Sequence, residues 1–164
     1  MVPTPKETTF TARSLGETRE FATRFVRALT EKEKYRATAT IIALSGDLGA
    51  GKTTFVQQCA ALLGIDEYVT SPTFVLQQIY KLPQQAPWKH LVHIDAYRLE
   101  GGADMEALQW SSYATDPGNI IFIEWPTQVP GAVPQRAYWI DIEEKEEEQS
   151  ETRIFSYPDV LHLA

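Results

Sequence analysis

The chain carries a single cysteine among its 164 residues, so no internal disulfide can brace it and stability must come from a packed core. No apolar run approaches the ~20 residues that a membrane-spanning helix requires, which removes the membrane from its expected surroundings. Positive charge is also scarce: 15 Lys and Arg stand against 22 Asp and Glu, a formal net charge of -7. A protein that grips nucleic acid alone normally presents a basic face, and nothing in this sequence looks like one. DNA is therefore not an expected partner, and any RNA is expected to be held by another subunit. The densest charge run is acidic, Glu143-Glu144-Lys145-Glu146-Glu147-Glu148, readable as a solvated loop or frayed strand end, or more sharply as a docking surface for a basic partner. Residues 1–11 lack the charged head and apolar stretch of a secretory signal, which sets the cytoplasm as the expected compartment.

What is present is ordinary for a globular protein, with 43% hydrophobic and 23% charged residues. The length suits one domain, residues 1–164, with a sizeable core. Against that plain background one stretch stands out: Gly46-Asp47-Leu48-Gly49-Ala50-Gly51-Lys52-Thr53, a full match to the phosphate-binding loop G-x-x-x-x-G-K-[ST]. Its context is right, since a β-branched apolar run over residues 41–44 reads as a buried strand and residues 52–63 read as a helix. Glycines let successive backbone N–H groups turn inward around phosphate oxygens, and the helix start adds unpaired donors. Lys52 is expected to reach the β- and γ-phosphates, and the Thr53 hydroxyl to ligate Mg²⁺. The expectation is a nucleoside triphosphate site.

The rest of the chain supplies strands and helices around this loop. A short strand over residues 10–12 precedes Ser14-Leu15-Gly16-Glu17, a capping box, and a helix to about residue 29 with Leu15, Phe21, Ala22, Phe25, Val26 and Leu29 facing inward. Cys59 falls on the inward face of the second helix with Phe55, Leu62 and Leu63, as a buried small hydrophobe rather than a nucleophile. Gly64 is placed to cap that helix. Strands are expected over residues 75–80, 91–94, 120–123, 138–142 and 153–157, with Asp104 capping a short helix through residue 108. The closing strands lack intervening helices. The fold class is therefore α/β, a single P-loop NTPase domain with a mixed, partly antiparallel sheet flanked by helices.

Hydrolysis needs more than the loop. A carboxylate must orient the metal shell, and some group must position the attacking water. In open α/β sheets such groups sit at the carboxyl ends of buried strands. Asp95 follows Leu91-Val92-His93-Ile94 and Glu124 follows Ile120-Ile121-Phe122-Ile123, and burying either acid is costly without a cation. Thr73, in the stiff segment Ser71-Pro72-Thr73-Phe74, is a third candidate whose hydroxyl can sense a γ-phosphate or metal as a switch does, although a plain turn explains that segment equally well. His93 reads as a hydrogen-bonded core imidazole, Arg98 as a surface ion-pair partner, and Trp125 with Pro126 as either a wall of the core or a lid on the site.

These pieces, in this order, resemble the TsaE family, the bacterial ATPases of tRNA threonylcarbamoyladenosine biosynthesis. The likeness is carried by the loop through Thr54 and Phe55, by Ser71-Pro72-Thr73-Phe74, by His93-Ile94-Asp95-Ala96-Tyr97-Arg98-Leu99 and by Glu124-Trp125-Pro126, and it spans roughly residues 10 to 142. The resemblance implies ATP with Mg²⁺ as the bound nucleotide, the TsaD and TsaB subunits as partners, and tRNA reached indirectly through them. It implies that ATP hydrolysis supports a complex that modifies the adenosine beside the anticodon of ANN-decoding tRNAs, without this chain performing the transfer. Carried onto this sequence, Lys52, Asp95, Glu124 and Thr73 are the catalytic set, and Thr53, Glu124 and Asp95 the metal set. Gly46, Asp47, Leu48, Gly49, Ala50, Gly51, Lys52, Thr53 and Thr54 cradle the nucleotide, and the region of Leu15 and Thr18 encloses its base.

Three rivals use the same loop. A small-molecule kinase is disfavoured because Arg98, Arg136 and Arg153 are scattered rather than gathered into a lid. A GTPase would carry a guanine-reading Asn-Lys-x-Asp segment, which this sequence lacks. A non-hydrolysing nucleotide-binding scaffold stays open on sequence grounds.

Overall fold

A computed structural model describes residues 6–147 and 150–163; the first five residues and Glu148 of the acidic run lie outside the described residues. Seven strands form one sheet: β1 (Glu7–Ala12), β2 (Thr40–Ser45), β3 (Gln77–Lys81), β4 (His90–Asp95), β5 (Asn119–Glu124), β6 (Tyr138–Glu147) and β7 (Ser150–Pro158). Their spatial order is β1-β7-β6-β2-β5-β4-β3. The four central strands β6, β2, β5 and β4 are mutually parallel, and the outer pairings β1–β7, β6–β7 and β3–β4 are antiparallel. The sheet is therefore mixed, as the helix-free run of closing strands implied.

Strands buried on both faces need apolar side chains on both, and β2 and β5 supply them. On one face Ile42, Leu44, Ile120 and Phe122 pack beneath the helices α1 (Leu15–Lys32) and α2 (Lys52–Leu62). On the other Ile41, Ile121, Ile123, Val92 and Ile94 meet α3 (Gly102–Ala107) and α4 (Trp110–Thr115) through Met105, Trp110 and Ala114. The first layer holds an aromatic cluster: Phe21 stacks 4.5 Å from Phe155, and Phe55 lies 5.3 Å from Phe25 and 5.5 Å from Phe21, between ring centroids. Rings in this geometry add about 0.5–1.5 kcal/mol per pair beyond their area burial, and they fix α2 against α1 and β7.

Local signals set the helix ends. The Ser14 hydroxyl accepts from the Glu17 backbone N–H at 3.1 Å, and the Glu17 carboxylate reaches back to the N–H of Arg13, one residue earlier than a standard capping box. At the far end of α2 the Gly64 and Ile65 N–H groups bond the carbonyls of Ala61 and Ala60, a Schellman closure with Gly64 at φ 95°. Cys59 is fully buried, as expected, and burial pushes its thiol well above its ordinary pKa.

Four expectations need correcting. Leu15 is 62% exposed, because it stands in the first turn of α1 before the apolar stripe of Phe21, Ala22, Phe25 and Leu29 meets the sheet. Strand β3 starts at Gln77 rather than residue 75, because the Val75 and Leu76 N–H groups both turn back to the Pro72 carbonyl, with Leu76 at φ 67°. Asp104 is not the cap of α3; Gly101 holds that place, and the Asp104 carboxylate accepts from the Glu100 N–H at 2.8 Å. The acidic run is the end of a strand rather than a loop, since residues 143–147 continue β6 in a hairpin with β7, and all five are exposed, as a solvated run requires.

Candidate nucleotide site

Loop residues 46–51 join the tip of β2 to the first turn of α2. Gly46 adopts φ 141°, and a Cβ there would lie 2.4 Å from the Ile142 carbonyl oxygen, so glycine is sterically required. Gly51, at φ 105°, caps α2 without a side-chain hydrogen bond, which leaves the helix N-terminus capped by nothing but backbone. Such a terminus carries unpaired N–H donors and the positive end of the helix dipole, the chemistry that suits a phosphate oxygen. Leu48 is 85% exposed at the loop tip, while Ala50 is buried beneath it.

Lys52 is the cation of the site. Its Nζ donates to the carbonyls of Gly46 at 2.7 Å and Asp47 at 2.9 Å, and it lies 4.1 Å over the Trp125 ring. Burial pushes its pKa below the ordinary 10.5, while Glu124, Asp95, Asp47 and Asp141 pull it back up. Trp125 thus faces the site and also packs against the second core layer, with Tyr97 5.0 Å from it.

The two strand-tip acids are neighbours: Asp95 and Glu124 sit opposite each other in the parallel pairing of β4 and β5. Each is over nine-tenths buried. Glu124 Oε1 accepts from the Thr53 hydroxyl at 2.7 Å and meets His93 Nε2 at 2.9 Å. Asp95 Oδ2 accepts from the Thr73 hydroxyl at 2.8 Å, and its Oδ1 accepts from the Tyr97 N–H at 3.0 Å. Thr73 in turn shares a 2.7 Å hydrogen bond with Ser71. The acids, the two threonines and the lysine therefore converge on one place.

The donor set is a hydroxyl and two carboxylates, all hard oxygen. That suits Mg²⁺, which takes one or two carboxylates and completes its shell with waters and substrate phosphates. Among the described residues no group of three or more His, Cys, Asp or Glu is arranged to hold a metal alone.

Beside the loop opens a cavity of about 310 Å³, lined by Leu15, Thr18, Gly49, Gly51 and Thr54 together with Arg13, Arg153 and Phe155. Leu15 is exposed because it forms this rim. Arg153 is the residue that sequence reading missed. It stands on β7 opposite Ala12 and Glu144, close enough that a Cβ on Gly51 would be 3.4 Å from its Nε. Its Nη1 lies 3.1 Å from Glu144 without hydrogen-bond geometry. Only the register of the β6–β7 hairpin delivers it there. His93 is the hydrogen-bonded core imidazole expected, and its partner is a site carboxylate. Arg98 forms no ion pair among the described residues; its guanidinium lies over the Phe74 ring at 5.1 Å.

Fold and loop together define an α/β protein of the phosphate-loop NTPase class. Residues 12–154 match the family described as Threonylcarbamoyl adenosine biosynthesis protein TsaE, and the chain belongs to that family. Among its relatives is the tRNA threonylcarbamoyladenosine biosynthesis protein TsaE of Streptomyces coelicolor, 44% identical over 52% of this chain and 55% of that one. The protein of the same description from Rickettsia prowazekii is 35% identical over 70% of this chain and 72% of its own length. The match thus spans little more than half of the Streptomyces protein. A crystal structure of YdiB from Bacillus subtilis superposes with a TM-score of 0.67 at 25% identity, covering 94% of this chain and 86% of that one. No helix among the described residues is long and apolar enough to cross a membrane.

Proposed function

We propose that the chain, as one domain, is a Mg²⁺-dependent ATPase that serves the threonylcarbamoyl modification of tRNA. The observation that carries this reading is the meeting of Glu124 with Thr53, and of Asp95 with Thr73, beside Lys52.

The residues divide the work by position. Lys52, already curled onto two loop carbonyls, exchanges those acceptors for β- and γ-phosphate oxygens, which bind a cation more strongly. The Thr53 hydroxyl and the Glu124 carboxylate hold the Mg²⁺ side, with His93 fixing the carboxylate from behind. Bound Mg²⁺ neutralises charge that develops on the phosphates. Asp95 and Thr73 orient the attacking water, with Thr73 in the segment that senses the γ-phosphate. Adenine enters the cavity rimmed by Leu15, Thr18 and Arg153. The partners are TsaD and TsaB, which carry out the transfer, and this chain works beside them in the cytoplasm.

Phosphate release is the test. It should be slow for the isolated chain and rise when TsaD, TsaB and tRNA are added, with ATP outcompeting GTP. A stoichiometric phosphorylated small molecule in place of free phosphate overturns the reading in favour of a kinase.

A further inference from the structure

A wide cleft lies at the pole of the sheet away from the phosphate loop. Strands β2, β4 and β5 are parallel, so the starts of β4 and β5 and the approach to β2 share one end, and Ser45, Asp95 and Glu124 mark the other. Six residues of strand separate the two ends by roughly 17–20 Å. The cleft encloses about 870 Å³, and its rim carries Lys34, Arg36, Lys81, Lys89 and His90 against one acid, Asp116.

The fold collects this charge from segments far apart in sequence. Lys81 and His90 are opposite each other in the β3–β4 pairing, and the Leu82 N–H bonds the Lys89 carbonyl at 2.8 Å. The Lys89 N–H bonds the Gly118 carbonyl at 2.7 Å, which closes the ring onto the start of β5. Arg36 is the floor rather than a free contact: its guanidinium donates to the carbonyls of Glu33, Pro87 and Pro117 and lies 4.9 Å over the Trp88 ring. Lys34, Lys81 and Lys89 are exposed, and none has an ion-pair partner among the described residues. Tyr35 is 91% exposed between Lys34 and Arg36. In a chain of net charge -7, a cleft with this balance is a local exception, and one the linear sequence hid.

We infer that this cleft is a contact site for the phosphodiester backbone of RNA, through Lys34, Lys81 and Lys89, with Tyr35 placed to stack on an unpaired base. Flexible lysines around an open cleft suit a row of phosphates, and an exposed ring beside them suits a base face. The choice of ligand rests on the proposed service in tRNA modification, which favours RNA over an acidic peptide. Three phosphate contacts give a weak, salt-sensitive grip that supplements whatever partner subunits hold. The inference stands apart from the hydrolytic reading, since the cleft and the loop are at opposite poles.

The test is fluorescence anisotropy of a labelled, unmodified ANN-decoding tRNA with the full chain, at ~50 to ~200 mM salt. Binding should be in the high micromolar range or tighter at the low end and fall roughly 20- to 40-fold across the range. The Lys34→Ala, Lys81→Ala, Lys89→Ala triple variant should bind at least about tenfold more weakly, with a log–log salt slope lower by about 2–3. Its ATP affinity should match the parent's, which also reports that it is folded. An Arg19→Ala, Arg27→Ala, Lys32→Ala variant, of equal net charge but altered on α1, should bind tRNA like the parent. Three results overturn the inference: no tRNA binding by the parent, equal loss in both triple variants, or binding of a polyglutamate peptide in preference to tRNA.

Discussion

The Thr53 hydroxyl donates to Glu124 across 2.7 Å, tying the first turn of α2 to the tip of β5. The same carboxylate oxygen meets His93 Nε2 at 2.9 Å, so Glu124 is held from two sides before any ligand arrives. Glu124→Gln keeps the size and much of the hydrogen bonding while removing the charge. Turnover in the complete complex should fall about 100-fold or more, the scale for a lost electrostatic group at a reacting centre, with the melting temperature near the parent's. Glu124→Ala should fall as far in turnover and also lose about 1–3 kcal/mol of stability, because His93 and Thr53 are left unpaired. Parental phosphate release by the Gln variant removes Glu124 from the mechanism.

If Lys52 holds the phosphates as proposed, nucleotide binding should depend on pH. Burial holds its pKa below 10.5. Between that depressed folded value and the unfolded one, the unfolded chain binds more protons, so this lysine costs the free protein stability at neutral pH, and the cost lifts as pH rises through the window. A triphosphate favours the ammonium form. Binding should therefore take up protons in the same window, and affinity should fall as pH rises through it. Calorimetry at pH values stepped down from 10.5, in buffers of different ionisation heat, measures that uptake. Lys52→Arg does not titrate there and should show none. Equal uptake by both proteins assigns the linkage to another group. Lys52→Ala should weaken ATP binding by about tenfold to a hundredfold, the worth of a charge-assisted contact.

Two loop glycines should respond differently to alanine. At Gly46 the new Cβ would stand 2.4 Å from a backbone carbonyl of β6, at φ 141°. At Gly49 nothing lies within 4 Å and the strain is that of φ 82° alone. Gly49→Ala should cost about 1–2 kcal/mol, whereas Gly46→Ala must push β6 away from the loop and should lose more stability together with ATP binding. Similar denaturation midpoints for both would mean the loop moves freely against β6.

Much of this was legible in the sequence because neighbouring residues encode it. The loop from Gly46 to Thr53 carries its own spacing, and Asp95 and Glu124 each follow a short, mostly apolar run that reads as an interior strand. The mixed sheet followed from closing strands without helices. Sequence could not show which residues meet across the sheet. The register of β7 places Arg153 beside Gly51, and that register is set by pairing with β1 and β6, far along the chain. The turn offered for residues 71–74 runs on to residue 76, and that extension escaped because Val75 and Leu76 have strand-forming side chains, while the Pro72 carbonyl outcompetes a ladder partner for both N–H groups. Helix α4 went unread because its N-cap, Gln109 at φ 60°, gives no sequence mark. The basic cleft is the same lesson in charge, since residues 34, 81 and 89 are neighbours only in space.

Substitution of Thr73 should separate switching from binding. Its hydroxyl donates to Asp95 at 2.8 Å and shares a hydrogen bond with Ser71, while the turn that follows holds Leu76 in a left-handed conformation. That geometry couples the segment to a site acid without touching the loop that cradles phosphate. Thr73→Val keeps the shape and deletes the hydroxyl. Turnover in the complex should then drop about tenfold to a hundredfold, the scale of one lost polar contact near a reacting centre, while ATP affinity stays within about twofold. Thr73→Ser restores the hydroxyl and should recover most of the rate. Single-turnover phosphate release together with equilibrium ATP titration measures both. Loss of affinity in step with loss of rate would place Thr73 among the binding groups and leave Asp95 to position water alone.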